Sequence, residues 1–145
     1  ISMAITKQLS KGQDEVFLLN RGSKNAVLPE NVKQLKADIN DQEGVLKAIE
    51  GLNFDAVCEF IGFVPEQIER DFRLFAERTK QYIYISSASA YHKPVQDFRI
   101  TEGTSLSNPY WEYSRNKIAS EELLMKLYRE KGFPVTIVRP SHTYD

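Results

Sequence analysis

Tyr113 and Lys117 stand four residues apart in a stretch of helical pattern, which puts both side chains on one helix face. An ammonium beside a phenol favours the phenolate, and a tyrosine so tuned can exchange a proton with a substrate oxygen near neutral pH. A solvated surface pair has the same spacing. With seven tyrosines in the chain, the pair alone decides little. Upstream, the run Tyr82-Ile83-Tyr84-Ile85 ends in Ser86-Ser87. Such a strand exit can bring a hydroxyl to the same oxygen as a donor that steadies and orients it. Serines that only cap backbone groups at a strand end would read identically.

The elements needed to position these residues alternate along the chain. Residues 2–11 have an amphipathic helical pattern with Met3, Ile5 and Leu9 as apolar positions, broken at Gly12. Val16-Phe17-Leu18-Leu19 reads as a buried strand stopped by Asn20-Arg21-Gly22, and residues 32–37 as a weaker strand ending at Asp38. Asp41 caps a helix through Ile49, with Gly51 just past its end. Residues 55–60 form the next strand, closed by Gly62. Pro65 then precedes a helix over 66–79 with apolar positions at Ile68, Phe72 and Phe75. After strand 82–85, a loop of turn formers covers 92–107. Asn108-Pro109 opens a long helix ending near Gly132, and residues 134–138 make a last strand before Arg139-Pro140. Strands alternating with helices predict an α/β fold, a Rossmann-like, doubly wound parallel sheet covered on both faces. Ligands of such sheets sit beyond the carboxyl ends of the strands. The informative residues gather there: Asn20-Arg21, Asp38, Phe60 to Gly62, Ser86-Ser87, and Pro140 to His142.

Length and composition narrow the classes. The 145 residues suit one domain spanning 1–145, and 41% hydrophobic with 27% charged residues argues against disorder. A net charge of -1 gives no basic footprint, so a nucleic-acid partner is disfavoured. Cys58 is the only cysteine, which rules out an intrachain disulfide and a cysteine-built zinc site, and no metal is expected. No run is long enough to span a membrane and no signal peptide is visible, so a reducing, cytoplasmic setting is expected.

Four stretches together carry a resemblance. Tyr84-Ile85-Ser86-Ser87-Ala88-Ser89-Ala90-Tyr91, Ile100-Thr101-Glu102-Gly103-Thr104-Ser105-Leu106, Tyr113-Ser114-Arg115-Asn116-Lys117 and Val138-Arg139-Pro140-Ser141-His142-Thr143-Tyr144 follow in an order and spacing that resembles the short-chain dehydrogenase/reductase superfamily. Within it, the extended or atypical NAD-dependent epimerase/dehydratase branch is the one they resemble. The resemblance implies Ser87 as the catalytic serine, Tyr113 as acid/base, and Lys117 as the residue that tunes Tyr113 and holds the nicotinamide ribose. It implies cofactor contacts from Asp38 and Ile39 at the adenine, from Phe60, Ile61 and Gly62 beneath the dinucleotide, and from Pro140 beside the nicotinamide. Ser89 and His142 are the implied substrate-side residues; a lone solvent-facing histidine is the competing reading of His142. Asn20 and Arg21 bear on the cofactor. An acidic residue at that strand end would chelate the ribose hydroxyls of NAD, whereas an arginine suits a 2′-phosphate, so NADP is slightly favoured over NAD. A solvated arginine in a turn explains Arg21 equally well.

The sequence departs from that pattern at its start. Relatives carry a first strand and a Gly-x-x-Gly-x-x-Gly turn before the opening helix, where backbone N–H groups meet the pyrophosphate. Here Ile1 begins just beyond that point, and Ser2 stands where the last glycine is expected. The expectation is a fragment of a chain near twice this length. Its missing first strand would lie between strands 15–20 and 55–60, and a smaller substrate domain would follow Asp145. The segment alone is expected to bind cofactor weakly or not at all. The function implied, assigned to the longer parent chain with the segment alone expected to be inactive, is NAD(P)-dependent epimerisation, dehydration or reduction at a hydroxyl or carbonyl of a nucleotide sugar or related small molecule. The alternative is a non-catalytic Rossmann module binding nucleotide or RNA, similar to chloroplast RNA-binding members of the superfamily. A homodimer through helices 66–79 and 108–131 is a further expectation, with Phe72, Phe75, Leu124 and Leu127 as contacts; core packing accounts for those four at least as well.

Overall fold

Among the described residues the named strands all pair in parallel, as alternating strands and helices require. The structure is a computed structural model that describes residues 2–22 and 27–143. The described residues divide into a first unit, up to Leu52, and a second, from Asn53 onward.

In the first unit, α1 (Ser2–Leu9) leads to β1 (Val16–Asn20), β2 (Val32–Lys36) and α2 (Gln42–Ala48). β1 and β2 pair in register from Val16 opposite Val32 to Asn20 opposite Lys36. The expectation of a fully buried β1 is corrected: only Val16 is buried and the other four residues are half-buried. Among the described residues β1 has a ladder partner on one edge only, so a two-stranded sheet cannot enclose it. α1 is corrected in the same sense. Met3 is half-buried, but Ile5 and Leu9 are 37% and 42% exposed, and the buried residue is Thr6. Thr6 donates its hydroxyl back to the Ser2 carbonyl at 2.9 Å. α2 follows the sequence closely, with Asp41 Oδ1 accepting the Gly44 N–H at 3.1 Å.

The second unit runs β3 (Val57–Glu59), α3 (Pro65–Phe75), β4 (Tyr82–Ile85), a 3₁₀ turn (Ala88–Ala90), α4 (Glu112–Lys131) and β5 (Val135–Val138), with strand order β3-β4-β5. Its core is Ile68, Tyr82, Tyr84, Leu124 and Phe133, with Phe72 and Leu127 packed against it. Phe75 is buried as well. Of the four residues put forward as dimer contacts, Phe75 and Leu124 are buried, and Phe72 and Leu127 are half-buried against the core. Burying tyrosines in a strand requires a partner for each hydroxyl. Tyr82 donates to Asp71 Oδ2 at 2.7 Å and Tyr84 to the Gly62 carbonyl at 3.0 Å.

α4 begins at Glu112, later than Asn108-Pro109 suggests. The reason is local. Buried Asn108 accepts the Tyr110 N–H at Oδ1, 3.2 Å, making a side-chain turn that occupies residues 108–110 before the helix starts. The other end is where glycine is needed. Gly132 has φ 69°, and its N–H returns to the Tyr128 carbonyl at 3.0 Å, a left-handed cap that stops the helix.

Candidate functional site

The carboxyl ends of β3 and β4 meet the first two turns of α4 around one ammonium group. Lys117 is 1% exposed, and its Nζ donates to the Gly62 carbonyl at 2.6 Å and the Ile85 carbonyl at 2.7 Å. The same nitrogen lies 4.5 Å from the Tyr84 ring centre, 5.2 Å from Phe63 and 5.7 Å from Tyr113. The helical spacing thus brings Tyr113 and Lys117 together, with the cation against the ring. Tyr113 is half-buried and stacks on Trp111 at 4.8 Å, with Phe63 on its flank at 6.3 Å.

The exit of β4 is stitched to the start of α4. Ser114 Oγ donates to Ser89 Oγ at 2.9 Å, and Asn108 Nδ2 donates to the Ser89 carbonyl at 2.8 Å. Ser89, expected on the substrate side, is here part of that seam. Ser87 Oγ accepts the Ser89 N–H at 3.1 Å, and among the described residues it donates to none. Ser86, its neighbour, is committed inward to Glu121 Oε1 at 2.5 Å. Phe60 is half-buried, Ile61 is 52% exposed, and Gly62 is buried. Pro140 gives its carbonyl to the Ala88 N–H at 2.9 Å. His142 is exposed beyond β5, and Tyr144 of the same motif lies outside the described residues.

In the first unit, Asn20 and Arg21 close β1. Asn20 Oδ1 accepts from Gly22 N–H at 2.8 Å and Gln34 Nε2 at 2.7 Å. Arg21 sits 3.8 Å from Asp38 Oδ2, with side chains 70% and 41% exposed, a loose surface pair. Asp38 Oδ1 also accepts the Asn40 N–H at 3.0 Å, and Ile39 between them is half-buried.

Sequence reasoning missed the buried charges. Glu59, Arg70, Asp71 and Glu121 are all buried. Arg139, on the motif after β5, chelates Glu121 through Nε at 3.0 Å and 3.1 Å and a terminal nitrogen at 2.6 Å. A usable signal existed for one of them: Glu121 follows Lys117 by four, as Lys117 follows Tyr113, continuing one helix face.

Burial sets the charge states. Desolvation pushes the Glu59 carboxyl up to about 7, with the Asp71 charge adding to it, and Arg70 and the Ile61 N–H opposing. Desolvation pulls the Lys117 ammonium down to about 8, against the attraction of Glu59 and Glu121. The folded chain therefore keeps the Glu59 proton to higher pH than the unfolded chain. The associated stability is full below about pH 4.5 and is lost as pH rises through about 7. Lys117 acts in the opposite window: its burial costs stability below about pH 8, and the cost is relieved as pH climbs toward 10.5. Glu59→Gln is expected to remove the first window, a change on the order of 2 kcal/mol. Urea midpoints at about pH 5 and about pH 7.5 check it. A Gln variant that loses as much stability as the unmodified chain across that window would refute the assignment.

Comparison with known proteins extends the geometry. The family model for the NAD dependent epimerase/dehydratase family matches residues 1–144. Among solved structures, the chain is similar to an epimerase from Methanothermobacter thermautotrophicus, at 17% identity and TM-score 0.78, covering 94% of this chain and 47% of that one. A UDP-glucuronic acid 4-epimerase from Bacillus cereus, solved in complex with UDP-glucuronic acid and NAD, matches at 15% identity and TM-score 0.71, covering 96% and 52%. Vestitone reductase from alfalfa (Medicago sativa) matches at 19% and 0.71, covering 94% and 51%. The chain spans about half the length of these structures, and at such identities the likeness shows the fold. No curated protein matches the sequence. Parallel strands alternating with helices, a tyrosine and lysine sharing one face at the strand ends, and a family match over 1–144 lead to one assignment: the chain belongs to the NAD dependent epimerase/dehydratase family.

Proposed function

We propose that the protein is an NAD(P)-dependent epimerase, dehydratase or reductase acting at a hydroxyl or carbonyl of a nucleotide sugar or related small molecule. The observation that carries this reading is the Lys117 ammonium held at the ends of β3 and β4 with the Tyr113 ring beside it. The donor set suits a dinucleotide. An ammonium has three N–H donors, and Lys117 spends two on carbonyls, leaving one for a ribose hydroxyl. A bound nicotinamide supplies a reversible hydride acceptor. Tyr113 would take the proton of the substrate hydroxyl and return it in the reverse direction. Ser87 Oγ already accepts a backbone N–H, so its own proton is free to point at that substrate oxygen. The nucleotide-sugar class is supported by the similar Bacillus cereus epimerase, solved in complex with UDP-glucuronic acid and NAD.

The direct test is incubation of the full-length protein with nucleotide sugars and either cofactor, following nicotinamide absorbance and the sugar product. Neither hydride transfer nor epimerised product with any of them would refute the proposal. Arg21 provides the cofactor test. Its exposed guanidinium, only loosely paired with Asp38, can meet a 2′-phosphate, so NADP is the slightly favoured cofactor. Arg21→Ala is expected to weaken NADP binding by about tenfold while leaving NAD within about twofold. Equal loss for both cofactors, read by nicotinamide fluorescence, would remove Arg21 from the phosphate site.

A further inference from the structure

Glu59 ends β3, and its carboxylate folds back onto the chain that leaves the strand. Oε1 accepts the N–H of Ile61, two residues on. Oε2 lies 3.8 Å from Arg70 on α3, and Arg70 is itself gripped by Asp71 at 2.7 Å and 2.8 Å. The second Asp71 oxygen accepts the Tyr82 hydroxyl of β4 at 2.7 Å. Glu59, Arg70 and Asp71 are all buried. Taking three charges out of water is costly, and apolar residues of similar size would fill the space without that cost. The array is therefore better explained by the geometry it imposes than by stability.

That geometry is specific. A carboxylate bonded two residues ahead fixes the turn through Phe60 and Ile61, and so the direction of the next carbonyl. The next carbonyl is Gly62, which receives both Lys117 Nζ and the Tyr84 hydroxyl. A Cβ at Gly62 would stand 3.1 Å from Glu59 Cγ and 3.1 Å from Tyr84, so the Glu59 stem also packs directly on this glycine. Glu59 faces Arg70 of α3 and packs on Gly62 beside Tyr84 of β4, and its charge also acts on Asp71, Tyr82 and Lys117. We propose that Glu59 is a positioning residue: its carboxylate locks the β3 exit through the Ile61 N–H, aims the Gly62 carbonyl at Lys117, and presents a negative charge to that ammonium. This rests on the role proposed for Lys117.

The test uses the unliganded protein and two substitutions. Amide exchange at Ile61 reads the lock, and the ¹³Cε signal of Lys117 followed against pH reads the charge. Glu59→Leu is expected to speed exchange at Ile61 by about tenfold relative to β4 amides. Glu59→Gln keeps an oxygen for the Ile61 N–H and should stay protected, while its Lys117 midpoint falls by roughly one pH unit. Unchanged Ile61 exchange in the leucine variant, equally fast exchange in both, or an unmoved Lys117 midpoint in the glutamine variant would each overturn the proposal. Should the leucine variant not fold, the glutamine variant decides through Ile61 protection and the Lys117 midpoint together. Neither readout uses turnover, so failure here is separable from failure of the enzymatic reading.

Discussion

Tyr113→Phe in the full-length protein is expected to lower turnover by roughly 100- to 10,000-fold, the size of effect lost with a positioned proton-transfer group. The substitution removes one oxygen and keeps the ring. Stacking on Trp111 at 4.8 Å and the Lys117 cation over the ring at 5.7 Å both survive, so neither folding nor cofactor affinity should change much. The diagnostic pattern is therefore a fall in kcat and kcat/KM together, with cofactor Kd within about threefold and Tm unchanged. An interaction made only in the transition state gives that signature, whereas a lost ground-state contact raises KM. A non-catalytic module that binds nucleotide or RNA would not register the change at all. Turnover by the phenylalanine variant at the original rate would remove Tyr113 from the acid/base role.

Why the sequence yielded some of this and concealed the rest is a question of which residues face inward. β4 was legible because Tyr82-Ile83-Tyr84-Ile85 is aromatic and β-branched throughout and ends at a serine pair. Asp41 and Gly132 marked helix ends through capping chemistry that is local in sequence. The Tyr113–Lys117 pair was legible for the same reason, since four-residue spacing is a property of one helix. α4 hid its packing. Its buried residues are Ser114, Lys117, Ser120, Glu121 and Leu124, so the face against the strand ends is mostly polar and hydrophobic periodicity points elsewhere. Glu59 and Arg70 were invisible because their partnership joins a strand end to a helix, and no spacing rule links them. The strand of Val16 to Leu19 reads as buried because Phe17, Leu18 and Leu19 are apolar, yet burial depends on neighbours that the run itself does not reveal.

Glu121→Ala should be among the most destabilising single substitutions in the second unit, at about 3–5 kcal/mol. The Glu121 side chain is 3% exposed and accepts from Arg139 at 2.6 Å, 3.0 Å and 3.1 Å and from Ser86 at 2.5 Å. Arg139 also donates to the Tyr91 hydroxyl at 3.2 Å, with its guanidinium 5.0 Å from that ring centre. One carboxylate therefore joins α4 to the exits of β4 and β5 and, through Arg139, to the residue after the 3₁₀ turn. Alanine leaves a largely buried guanidinium without its counter-charge and a buried serine hydroxyl without its acceptor. Arg139 is 18% exposed and can recover some hydration, which argues for the lower half of that range. The cause is the stranded charge, so the double substitution Glu121→Leu with Arg139→Met should cost less than Glu121→Ala alone, because neither charge is left buried. Urea denaturation of the single and double variants measures the difference as a coupling. Should the double variant be the less stable of the two, the pair would be holding the strand exits together by attraction, and stranded charge would not be the explanation.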